Sequence, residues 1–89
     1  MEGTREHTIS LDQLPDKDWA TVAGITVPAD AADRHLVLRL LELGFVPGER
    51  VQVVREGLPG RDPLAIRLGH TTFALRRREA AFIQVITNG

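Results

Sequence analysis

Leu36 to Val51, reading LVLRLLELGFVPGERV, restricts the folds open to this chain more than any other stretch. Leu36, Leu40 and Leu43 recur at helical spacing, and Val37 and Leu41 widen the stripe. Gly44 follows the last periodic residue, where a left-handed position just past a helix needs no Cβ. Phe45 comes next and can pack back on Leu40, the contact that accompanies a Schellman stop. Pro47-Gly48 then sets a turn, because proline fixes φ and glycine accepts φ > 0. Val51 and Val53, with the polar Gln52 between them, begin a period-2 strand. An amphipathic helix is therefore fed into a strand through a rigid turn, with no slack for a long loop.

Around this joint the pattern is of short strands. His7 to Ser10 reads as the first, and Ser10 is placed to cap a turn over Leu11 to Leu14. Trp19 to Val27 alternates as the second, with Gly24 a candidate bulge. Asp30 is a good N-cap for a helix from Ala31 to Leu43, and Asp33 in its first turn suits the dipole. Glu49 to Glu56 is the third strand, and the breaker-rich run from Gly57 to Asp62 is a loop. Pro63 to Leu68 is the fourth, with Leu64, Ile66 and Leu68 inward. Gly69-His70 turns it into a fifth over Thr71 to Leu75. One helical turn over Arg76 to Ala81 and a strand over Phe82 to Ile86 complete the pattern. The expected fold is mainly β: a small barrel of five to six short strands with a helix inserted at about 31–43. At 89 residues the chain is one domain, 1–89, with its core at about 9–86.

Three blocks of this pattern resemble a known family. Arg39-Leu40-Leu41-Glu42-Leu43-Gly44-Phe45-Val46-Pro47-Gly48 is similar to the signature of the FeoA-like family of small bacterial proteins. Asp62 to Arg67 and Phe73 to Ala80 resemble its second and third motifs, in order and at fitting spacing. The resemblance implies an SH3-like small barrel. It also implies a cytoplasmic accessory of ferrous iron uptake that binds or modulates the permease FeoB or its G domain.

The residues themselves point away from an enzyme. There is no G-x-S-x-G, no Walker A, no H-E-x-x-H and no cysteine. Asp16/Asp18 and Asp30/Asp33 sit where turns and caps want carboxylates. The net charge of −1 lacks the basic footprint of a nucleic-acid reader, and Arg76-Arg77-Arg78 is followed at once by Glu79. The start, MEGTREH, holds no apolar signal region, and no apolar run approaches the roughly 20 residues that span a bilayer. Direct membrane insertion is not expected, and the absence of cysteine fits the cytoplasm. Four aromatics, Trp19, Phe45, Phe73 and Phe82, are too few for a proline-rich ligand groove, and the three phenylalanines fit core positions.

Metal and partner surfaces remain. His7, His35 and His70 have no ligand at metal-binding spacing on their own element: Arg39 is four residues past His35, and Glu42 is roughly 10 Å along the axis. No cofactor is required. A divalent transition metal, zinc or iron, would need a surface site shared between copies, which makes a metal-dependent self-assembling protein one alternative. A stand-alone SH3-like regulatory module, like that of iron-dependent repressors, is another. For the permease contact the candidates are Val37, Leu38 and Leu41 on the helix, with the Leu58-Pro59 loop tip. Leu38 lies about 200° from Leu36 on the helical wheel, off the main stripe. Leu40, Gly44, Phe45, Pro47 and Gly48 are assigned to structure alone.

Overall fold

The alternation of inward aliphatics expected from the sequence builds a single six-stranded antiparallel sheet. A computed structural model describes residues 6–56 and 62–88. In chain order these form β1 (Glu6–Ser10), a 3-10 turn (Leu11–Gln13), β2 (Trp19–Ile25), α1 (Ala31–Leu43) and β3 (Arg50–Glu56). β4 (Leu64–Leu68), β5 (Thr71–Leu75), α2 (Arg77–Ala80) and β6 (Ile83–Asn88) follow. The strand order is β1-β6-β2-β3-β4-β5, so the first strand pairs with the last.

The sheet wraps a core of Ala20 and Val22 from β2, Val51 and Val53 from β3, Leu64, Ile66 and Leu68 from β4, Leu75 from β5, and Ile83 and Val85 from β6. Leu11, Leu14, Leu40, Phe45 and Ala80 close its ends. No charged or polar residue is buried among the described residues. Phe45 is fully buried and tilts its ring at 58° against that of Phe73, with centroids 5.7 Å apart. That tilt leans towards the edge-to-face arrangement that the ring quadrupoles favour. Phe73 and Phe82 pack partly buried against the core.

Two bulges shape the sheet. The β2–β6 register shifts between Val22 and Gly24, where the glycine was a bulge candidate, and the β3–β4 register shifts between Val53 and Arg55. The β2 bulge puts Gly24 opposite Gln84 and lets Ile25 pack against the core. An unbroken alternation from Trp19 to Val27 is therefore not what forms. The strand ends at Ile25, and Val27 is exposed. Ser10 makes no side-chain cap; the short turn closes through the Leu14 N–H donating to the Leu11 carbonyl at 3.1 Å. The Arg77 guanidinium ties α2 to that turn by donating to the Asp12 carbonyl at 3.0 Å.

Candidate functional site

The joint between α1 and β3 forms as its residues dictate. Asp30 caps the helix, its Oδ1 accepting from the Ala32 N–H at 3.1 Å. At the other end Gly44 takes φ 114°. Its N–H donates to the Leu41 carbonyl at 3.0 Å, and the Phe45 N–H donates to the Leu40 carbonyl at 3.1 Å. This bonding pair is the Schellman motif. The Glu49 N–H then closes on the Val46 carbonyl at 3.2 Å, with Pro47 second and Gly48, at φ 97°, third in the turn. That is a type II β-turn, in which the third residue must be left-handed. Val22 clamps it from both sides: its carbonyl accepts from Gly48 and its N–H donates to the Glu49 carbonyl, each at 2.8 Å.

The helix places the partner candidates unequally. Leu38 is 56% exposed and Leu41 37% exposed. Val37, expected at the surface, is 6% exposed and belongs to the buried face with Leu40. The buried stripe is centred between Val37 and Leu40, so Leu36 is only half-buried and Leu41 swings outward. Leu58 and Pro59 lie outside the described residues.

His7, His35 and His70 are all exposed. No three His, Cys, Asp or Glu side chains gather into a metal site among the described residues.

Two surfaces were not legible in the sequence. In the first, Arg39, Arg76 and Arg78 line a polar concavity with Pro63, Ala74 and Glu79. The carboxylates near it are engaged: Glu79 Oε1 accepts from the Arg76 N–H at 2.7 Å, and Asp33 Oδ1 pairs with Arg78 at 2.9 Å. The second surface surrounds the type II turn. Trp19, Gly48, Glu49, Arg50 and Gly69 line one open hollow. Leu43, Val46, Leu68, Thr71 and Phe73 line its neighbour, which shares Glu49 and Gly69 with the first. Trp19 is 44% and Val46 37% exposed, and the Arg50 guanidinium lies over the indole at 5.6 Å. These residues come from β2, the α1–β3 joint and the β4–β5 hairpin; the joint is a local motif, but nothing local ties it to Trp19 or to the hairpin.

The model of the FeoA domain matches residues 9–87. The FeoA of Stenotrophomonas maltophilia, crystallised with zinc and described as a prokaryotic SH3 domain protein, is 36% identical. Its alignment covers 90% of this chain and 96% of that one, with a TM-score of 0.77. The FeoA protein of Chlorobium tepidum is 32% identical over 86% of this chain and 68% of its own, with a TM-score of 0.69. A manganese-dependent transcriptional repressor shares the fold at 20% identity, a TM-score of 0.72, and 44% of its length covered. No match was found among curated proteins. The six antiparallel strands with one inserted helix are the SH3-like fold of these proteins. The chain belongs to the FeoA family, non-enzymatic accessory proteins associated with ferrous iron transport.

Proposed function

We propose that the chain works in the cytoplasm by binding the ferrous iron permease FeoB, through its G domain, with the outer face of α1. The supporting observation is the exposure of Leu38 and Leu41 on a helix that buries only Val37 and Leu40. An apolar pair left outside in this way is what a protein interface uses as its anchor. Among the described residues no helix is long and apolar enough to cross a membrane, so contact with a membrane system runs through such a surface. The test is binding of the isolated G domain by the wild-type protein and by Leu38→Arg. The substitution should weaken binding by about 1–3 kcal/mol while leaving the fold intact. Wild-type affinity in a folded Leu38→Arg protein moves the interface elsewhere.

The zinc bound to the Stenotrophomonas relative supports a second reading, in which zinc joins copies of this chain through His7, His35 and His70. Neutral imidazole is the ligand, so such assembly would dissolve on acidification as well as with chelator. Light scattering during a zinc titration decides it. A tight one-to-one complex that survives replacement of all three histidines removes this reading.

A further inference from the structure

We infer that the double hollow around the type II turn is a docking groove for an extended protein segment of the form apolar–x–basic–x–apolar. The inference rests on the reading of the chain as a protein-binding accessory, and it supplies the chemistry of the partner.

Two turn glycines keep the groove open. Gly48 and Gly69 both hold positive φ, and a Cβ at either would meet nothing within 4 Å. The walls there are bare backbone facing free space. Trp19 stands at one end with much of its indole exposed, and Arg50 steadies it by lying over the ring. At the other end Leu43, Val46 and Phe73 form an apolar wall. A half-exposed aromatic beside an apolar hollow is the composition of an interface centre.

Glu49 decides the occupant. Glu49 lines both hollows, and among the described residues no hydrogen bond or ion pair engages its carboxylate. Arg50, the cation next to it in sequence, lies over Trp19. A ligand lying across both hollows therefore passes Glu49, the unpaired acidic residue that the two share. In an extended strand, residues i, i+2 and i+4 point the same way. The first and last of these would enter the two hollows as apolar side chains, and the middle one would meet Glu49 as lysine or arginine. An acidic segment would be repelled at that point. A proline helix would find only Trp19 and the partly buried Phe73, in different hollows, where such grooves are lined with aromatics.

Trp19 is the sole tryptophan, so its emission reports directly on the groove. Two synthetic peptides serve as probes, identical except at the centre: Ser-Leu-Ser-Arg-Ser-Leu-Ser and its glutamate counterpart. The arginine peptide should shift Trp19 emission and the amide resonances of Gly48 and Gly69. It should bind at least about tenfold more tightly than the glutamate peptide. Glu49→Gln should shrink that preference to about threefold or less. The backbone bonds of residue 49 are untouched by this change, so the variant keeps its fold, which circular dichroism checks. Equal binding of the two peptides overturns the inference. So does an absence of any emission change at millimolar arginine peptide, or displacement of the arginine peptide by self-association of the protein. Binding of the FeoB G domain without perturbing Trp19 overturns the groove and leaves the proposed function standing. Binding of the arginine peptide without any affinity for the G domain upholds the groove and removes FeoB as the partner.

Discussion

In β4 every second side chain is shut away: Leu64, Ile66 and Leu68 are buried, and Arg67 between them faces out. In α1, with thirteen residues, only Val37 and Leu40 are buried, and Leu38 and Leu41 are left outside. Both elements are rich in leucine and isoleucine or valine, so composition does not separate them. What separates them is what each needs for its own folding. A strand paired on both sides, as β4 is with β3 and β5, has core on one face along its whole length. A helix laid against the end of a barrel needs one narrow seam, and the rest of its surface is free to be chosen for something else.

Substitutions can break this contrast or sharpen it. The largest effect should come from the joint where helix meets core. Phe45→Ala removes a fully buried ring and its contact with Phe73, and should cost about 3–5 kcal/mol in chemical denaturation. Gly44→Ala forces a side chain into φ 114°, with its Cβ 3.2 Å from Leu68 Cδ2. A loss of roughly 1–2 kcal/mol is expected, seen as a lower midpoint at unchanged slope. Asp30→Ala, which strips the helix of its cap, should cost about 1 kcal/mol. Leu38→Arg should stay within about 0.5 kcal/mol of wild type. A Leu38→Arg protein as damaged as Phe45→Ala would end the distinction, because Leu38 would then be core in solution.

The sequence was readable where the signal is local. Leu43-Gly44-Phe45 specifies its own stop through adjacent backbone atoms, and Val46-Pro47-Gly48-Glu49 specifies its own turn. The helix bounds and β5 follow from the same punctuation. The rotation of α1 was not readable. Val37 and Leu41 lie on the same flank of the Leu36-Leu40-Leu43 stripe, about 40° apart, and only the packing of the helix decides that the first is buried and the second left outside. The Val22/Gly24 bulge was half-readable: the glycine marks the place, but whether the register slips depends on β6 opposite. The groove was invisible for a different reason. Trp19, Glu49 and Gly69 are ordinary residues in three separate segments, and they become a site only when the fold brings them together. The arginine concavity likewise joins α1 to β5 and α2.

The pairing of β1 with β6 has a consequence for how the protein comes into being. His7 meets Thr87 and Ile9 meets Val85, so the first strand has no hydrogen-bonded neighbour until the last has been made. On a ribosome β1 must wait, unpaired, until β6 has been made. Closing so long a loop loses entropy before any ladder bond compensates. Folding should accordingly run in milliseconds to seconds, as for other barrels of high contact order, and not in the microseconds of helical bundles. Ribosome-stalled chains ending before Ile83 should remain open to proteases.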